Sequence, residues 1–468
     1  MRRISVGKPA IAKGTHVLCR ESSMPASAAE LSAWHATPGS FQRLRPPWRH
    51  VDVVAPAGAV RAGSRLTTRF ALGPIHQDWV TEVTDSIPGE RLTDVQIDGP
   101  FAEWRHVRRF SPDGPRMSRL RDEVEYRLRL GAAGDLLGGI PIRQSLEHLF
   151  AYRHQRTADD LTLHAAYRAR PRLTVVISGA SGLLGTELAA FLTSGGHRVL
   201  TLVRRPPRAD HEVFWDPQRM ALAPAQLEGA DAVVHLAGRS LNAARWTEAV
   251  KREILRSRTE ATSLIARTVA QLDPRPVLIS NSAVGYYGDR GDEPLDEQSS
   301  PGSGFLPNVC IAWEQALQPA RDADARVVVL RTGVVLSGHG GALPRMLPAY
   351  RTGLGGPLGS GHQWMSWIGL QDYLGVVNRA LYDDELEGPV AAVAPPVTNR
   401  EFVRALTRVL HRPGLVPLPA PALRAALGEM GERLLLDSTR VAPARLTARG
   451  HKLLYPDVEQ ALRAELGR

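Results

Sequence analysis

ISGASGLLGTEL, residues 177–188, follows the continuous apolar run LTVVIS (173–178) and leads into a helical stretch from Thr186 to Ser194. The three glycines each have a separate use. Gly179 allows a tight turn, Gly182 lets a pyrophosphate approach the backbone, and Gly185 permits a helix to pack closely on the strand. The helix N-terminus then presents unpaired N–H groups and the positive end of its dipole to the phosphates. A glycine triplet alone is weak evidence, but a buried strand before it and a helix behind it give the context of a dinucleotide-binding turn. The structural alternative is a tight turn in an emptied pocket.

Outward from this turn, strands are expected at Arg198–Val203, Ala232–Leu236, Val277–Ser280 and Arg326–Leu330, with a helix from Thr247 to Leu272. Buried strands alternating with helices predict an α/β fold, a Rossmann-type doubly wound parallel sheet. An acidic residue about 20 positions past the turn would bind the ribose 2′-hydroxyl of NAD. The strand VLTLVRR instead ends on Arg204 and Arg205, whose guanidinium groups suit a 2′-phosphate. NADP(H) is therefore favoured over NAD(H), against the plainer reading of two solvated arginines.

Ahead of this region, from about residue 15 to 130, the pattern has period two. RLTTRFAL (65–72) sets Leu66, Thr68, Phe70 and Leu72 on one side. Farther on, Val124, Tyr126, Leu128 and Leu130 alternate with charged residues, as in an antiparallel sheet with one wet face. Turns are signalled at Ala57-Gly58, Pro88-Gly89, Gly99-Pro100 and Asp113-Gly114. Ser27 reads as the cap of a short helix through Trp34, and a long helix is expected from Gln144 to about Ala166. The segment ARPRL (169–173) reads as a linker, so the domains are expected at 1–168, 173–394 and 395–468, the last small and helical.

Composition narrows the function. A net charge of +10 could suggest nucleic acid, but only four of the 58 basic residues are lysines and the arginines form no tail or stripe. No apolar run reaches the ~18 residues that cross a bilayer, and no secretory signal is visible. Two cysteines, Cys19 and Cys310, make neither a disulfide framework nor a thiolate cluster. A cytoplasmic protein with no nucleic-acid, membrane or metal partner is the expectation. His35, His106 and His148 lack the spacing and carboxylate company of a metal site.

Six stretches carry a family resemblance: GASGLLG, DAVVHLAG (231–238), KREILRSRTEAT (251–262), ISNSAVGYYGD (279–289), LRTGVVLSGHGGAL (330–343) and GLGGPLGSGHQWMSWIGLQD (353–372). Residues 173–390 resemble the extended short-chain dehydrogenase/reductases of the NAD-dependent epimerase/dehydratase superfamily, and most closely its atypical epimerase-family branch. FQRLRPPW (41–48) and GPFAEWRH (99–106) resemble the polyketide-cyclase or START-like helix-grip domains found upstream of that branch, and residues 428–446 its C-terminal domain of unknown function. The resemblance assigns Gly179, Ser181, Gly182, Leu183, Leu184 and Gly185 to the cofactor loop and Leu236, Ala237 and Gly238 to the strand end bordering the adenosine. Ser282 matches the serine that bonds a substrate carbonyl or hydroxyl. A homodimer and a small substrate, apolar if the helix-grip domain presents it, are further implications.

One departure from the family bears on the chemistry. The family uses Tyr-x-x-x-Lys, in which the ammonium lowers the tyrosine pKa so that it exchanges a proton near neutrality. Here no lysine lies between Lys251 and Lys452, and aligning Glu314 with the family glutamate puts Leu306 and Cys310 at the two positions. Tyr286 and Tyr287, just past Ser282, are the candidate proton donors, with Arg331 as the cation within reach and a member of the cofactor-binding set. The structural reading makes them turn tyrosines, Cys310 packing, and His235 a satisfied strand-end histidine. Gly369 stands where the branch has histidine, and Trp364, Trp367 and Asp372 read as pocket wall, core and helix cap. Trp34, His35, Arg43, Trp48, Trp104, His106 and Tyr126 either line an N-terminal cavity or fill the core. Three functions compete: an NADP(H)-dependent oxidoreductase or epimerase, a cofactor-bound sensor or carrier without turnover, and a hydrophobic-ligand protein acting through its N-terminal domain.

Overall fold

The computed structural model describes residues 14–49, 51–55, 60–72, 75–129, 131–241 and 245–468. The turn expected at Ala57-Gly58 and the strand residue Leu130 lie outside them. The chain divides after Ala165 into two compact units. No helix among the described residues is long and apolar enough to cross a membrane.

The N-terminal unit is an antiparallel sheet closed by one long helix. Strands β1 (His16–Met24), β2 (Val51–Ala55), β3 (Arg65–Leu72), β4 (Ile75–Ile87), β5 (Arg91–Asp98), β6 (Glu103–Pro112) and β7 (Ser118–Arg127) pair in the order β1-β7-β6-β5-β4-β3-β2. The chain turns at Pro88-Gly89, Gly99-Pro100 and Asp113-Gly114, where all three glycines have positive φ. Helix α1 (Ala28–Ala36) starts at a capping box, Ser27 accepting from the Glu30 N–H while Glu30 reaches back. It is followed by α2 (Pro38–Arg43). The long helix α3 (Gly131–Ala165) begins 13 residues before the expected Gln144. Gly131, Gly134, Gly138, Gly139 and Pro141 hide that first part, since each weakens the helical signal. Its later turns bury Leu146, Phe150, His154, Thr157 and Leu161, a helical spacing, against the inner face of the sheet. Along β7 the buried row is Ser118, Leu120, Asp122, Val124 and Tyr126, the expected alternation with a carboxylate inside it.

The second unit is built on a seven-stranded parallel sheet. Strands β8 (Thr174–Ser178), β9 (Arg198–Val203), β10 (Glu212–Phe214), β11 (Ala232–His235), β12 (Val277–Ala283), β13 (Val327–Thr332) and β14 (Gly388–Ala392) lie in the order β10-β9-β8-β11-β12-β13-β14. Every neighbouring pair is parallel. The order reverses between β8 and β11, the switch point at which such sheets bind ligands. Helices α4 (Leu183–Ser194), α5 (Glu248–Val269, capped by Thr247) and α6 (Phe305–Gln315) follow β8, β11 and β12. The C-terminal section shares this unit's core: Trp367 and Leu343 cluster with Phe402, Leu406 and Leu462. It also adds Arg440–Val441 beside Pro294–Leu295 in a short parallel ladder. Asp372 is not the expected cap. Gly369 caps its helix, and Asp372, one turn inside, accepts the backbone N–H groups of Leu454 and Tyr455 instead.

Candidate active site

The turn after β8 is shaped by what its glycines exclude. Gly179 has φ +73°, and a Cβ on it would stand 2.8 Å from the backbone of Leu236 and Ala237. A Cβ on Gly185 would stand 2.3 Å from the Gly179 carbonyl oxygen, so the first turn of α4 can close on the strand only without one. Gly182 is the N-cap of α4 and supplies no side-chain cap, which leaves first-turn N–H groups available to an anion. Ser181 and Leu183 lie on the exposed and half-buried rim of this turn, with Leu184 beside them. These residues fit a dinucleotide's phosphates.

The neighbouring strand end is tied to the turn by a buried chain of polar groups. Backbone N–H groups of Leu236 and Ala237 donate to Ser178 Oγ at 3.1 and 3.3 Å. The Ser178 hydroxyl in turn donates to His235 Nδ1 at 2.7 Å, and the His235 Nε2–H donates to Thr262 Oγ1 at 3.0 Å. Burial, assisted by Arg258, drops the His235 pKa to about 3, so the ring is neutral and both nitrogens are used. His235 is a strand-end strut, as the structural reading had it, and it sets Leu236, Ala237 and Gly238 against the turn.

The two arginines past β9 differ. Arg205 forms a bidentate pair with Glu212 at 2.5 and 2.7 Å, which fastens β10 to the end of β9. That bond, with the Arg208 N–H, lowers the Glu212 pKa to about 2. Arg204 is exposed and forms no ion pair among the described residues.

At the end of β12 a polar cluster surrounds Ser282. The Ser282 hydroxyl donates to Glu314 Oε1 at 2.8 Å. Glu314 in turn accepts two bonds from Arg331, at 3.0 and 2.9 Å. Arg331 is buried and also donates to Tyr287 Oη at 3.1 Å and to the Glu297 carbonyl at 3.2 Å. Burial works against its charge, but the bonds and attraction from Glu314 raise its pKa. Its guanidinium carbon lies 3.5 Å from the centre of the half-buried Tyr286 ring. Tyr287 is fully buried, and burial pushes its hydroxyl up to about 12. Cys310 lies near Gly285, and burial, then Glu314, pushes its thiol up to about 12. Glu314, used in the sequence only as an alignment anchor, is thus the hub joining Ser282 to Arg331. An isolated glutamate on an apolar helix was its only signal.

Inside the N-terminal unit, Trp34, Trp104 and Tyr126 of the residues weighed as cavity lining or core are buried in the core. Trp104 meets Trp79, Phe101 and Tyr126 with ring centres 4.9 to 6.5 Å apart. Arg43 is buried in a pair with Asp160 at 2.8 Å. His106 does have carboxylate company, contrary to the sequence expectation: Asp94 at 3.1 Å and Asp122 at 3.0 Å. Asp94 is its cross-strand partner on β5, a neighbour that sequence spacing does not reveal. His154 and Arg108 also bind Asp122, and Arg108 donates to His35. No group of three or more His, Cys, Asp or Glu side chains that could hold a metal ion occurs among the described residues.

Residues 175–391 match the NAD dependent epimerase/dehydratase family, residues 24–150 the polyketide cyclase/dehydrase and lipid transport family, and residues 418–465 a domain of unknown function. An epimerase family protein of Mycobacterium bovis, Mb2239, is 43% identical over 289 residues, covering 62% of this chain and 96% of that one. A Corynebacterium glutamicum crystal structure described as a nucleoside-diphosphate sugar epimerase is 35% identical with a TM-score of 0.78, over 96% of this chain and 90% of that one. The human epimerase family protein SDR39U1, solved with NADPH, is 34% identical with a TM-score of 0.59, over 63% of this chain and 99% of that one.

Proposed function

The chain belongs to the NAD-dependent epimerase/dehydratase family, and from that premise we propose that it binds NADP(H) in preference to NAD(H) and acts as an oxidoreductase or epimerase on a small substrate. The supporting observation is the turn at 179–185, where a side chain on Gly179 or Gly185 would collide with backbone and the helix N-terminus carries no cap of its own. Bound cofactor would supply or accept a hydride at its nicotinamide. Gly179, Ser181, Gly182, Leu183, Leu184 and Gly185 hold the phosphates, and Leu236, Ala237 and Gly238 border the adenosine. Arg204, without an ion pair among the described residues, takes the 2′-phosphate, while Arg205 flanks it from its bond to Glu212. The SDR39U1 structure with NADPH supports this choice of nucleotide.

At the reacting end, the Ser282 proton is committed to Glu314, so toward a ligand its oxygen is an acceptor and suits a substrate hydroxyl. Tyr286 is the phenol that exchanges a proton, with the Arg331 guanidinium 3.5 Å from its ring centre as the nearby cation. Tyr287 is buried and holds Arg331 in position. The match of residues 24–150 to a family named for lipid transport supports an apolar substrate body. A second reading, a sensor or carrier without turnover, is favoured by one observation: Cys310, at the lysine position, is a buried thiol with its pKa pushed to about 12 and cannot serve as that cation. Single-turnover mixing of NADPH-loaded protein with a panel of carbonyl compounds separates the two. Decay of reduced-nicotinamide absorbance that Tyr286→Phe slows at least tenfold supports the enzyme; stable absorbance with every compound supports the carrier.

A further inference from the structure

Five arginines are buried among the described residues: Arg43, Arg108, Arg156, Arg258 and Arg331. Four have a carboxylate within 4 Å, supplied by Asp160, Asp122, Asp159 and Glu314. Arg258, 8% exposed on α5, has none, and among the described residues its hydrogen bond goes to the Ile254 carbonyl of its own helix at 3.1 Å. A buried charge without a counter-charge is costly, and proteins rarely keep one without a use. The surrounding titratable groups do not supply an anion. His235 is neutral, and Cys310 holds its proton to about 12. A second donor lies beside it: the Arg258 guanidinium carbon lies 5.0 Å from the centre of the Trp313 ring, whose indole N–H is buried without an acceptor among the described residues.

The location identifies the ligand. The Arg258 guanidinium carbon lies 3.6 Å from where a Cβ on Gly238 would be, at the end of β11 beside the glycine turn. Helix α6, which carries Trp313, also carries Cys310 at the position of the missing lysine. Resting on the cofactor reading above, we propose that Arg258 is the ligand-binding cation of this site: it receives an anionic oxygen group, phosphate or carboxylate, and α5 thereby supplies the positive charge that α6 lacks. The anion comes either from the cofactor's phosphate bridge or from the substrate.

The test compares full-length wild type, Arg258→Met and Arg258→Lys, each first shown folded by its cooperative thermal melt. NADPH and 2′-AMP, which keeps the 2′-phosphate but has neither phosphate of the bridge, are titrated into each, and inorganic phosphate is added to NADPH-loaded protein while melting is followed. If the cofactor supplies the anion, Arg258→Met weakens NADPH about tenfold or more, leaves 2′-AMP unchanged, and Arg258→Lys recovers part of the loss. If the substrate supplies it, NADPH affinity holds and the phosphate-induced rise in melting temperature of the loaded wild type disappears in Arg258→Met but persists in Arg258→Lys. The proposal is overturned if neither response moves, or if lysine recovers nothing. Wild type that binds no NADPH overturns the cofactor reading separately, and phosphate stabilisation that depends on Arg258 in unloaded protein would then still support this site.

Discussion

At Gly185 one methyl group would decide whether the nucleotide site forms, because it would press on the Gly179 carbonyl at 2.3 Å. Gly185→Ala is therefore expected to cost about 1–3 kcal/mol in chemical denaturation, the usual range for overpacking, and to weaken NADPH binding as the turn opens. Unchanged stability would mean that the turn is looser than the structure has it. Glu314→Gln leaves Arg331 buried without its counter-charge, and a loss of about 3 kcal/mol in the same measurement is expected. The cysteines differ in the same physical way. Cys19 is exposed, while Cys310 is buried with its thiol near 12, so iodoacetamide at pH 8 should modify Cys19 and spare Cys310 in a mass spectrum of the native protein. Rapid labelling of Cys310 would contradict its placement.

At the scale of elements, the parallel strands were legible because continuous apolar runs such as LTVVIS have no other comfortable fate in a chain of this pattern. The glycine turn was legible because its spacing and flanking elements are mutually required. Short edge strands were not: β10, paired in parallel with β9 and tied to it by Arg205 reaching Glu212, is only three residues long and too short to leave an apolar pattern. The start of α3 was hidden by its glycines and Pro141. The polar clusters were hidden for a different reason. Ser282, Glu314 and Arg331 come from β12, α6 and β13, and His106 meets Asp94 across a ladder, so the register of the sheets and the packing of α6 bring them together. Arg258 looked like one more arginine in an arginine-rich helix, and its lack of a partner shows only once burial is known.

For the molecule as a whole, three histidines in the second unit that stay neutral in the fold make stability fall toward acid pH. Burial lowers His235 to about 3 and His197 and His451 to about 4, with Arg258, Arg172 and Arg379 respectively adding to it. Unfolded histidines take up protons below about 6.5 while these three do not. Their contribution is fully present above pH ~6.5 and is lost as pH falls through that value toward about 4 and 3, at up to about 1.4 kcal/mol per pH unit for each. Urea titrations from pH 7 to 5 should show this loss, and a flat profile would mean that the histidines are solvated. What the second unit binds is tested by titration of NADPH and NADH, by nicotinamide fluorescence, into wild type, Arg204→Ala and Arg205→Ala. The expected result is much tighter NADPH than NADH binding in wild type, loss of that preference in Arg204→Ala, and a smaller loss in Arg205→Ala, whose guanidinium is already held by Glu212. Equal affinity for the two nucleotides in wild type, or a preference untouched by Arg204→Ala, would contradict it.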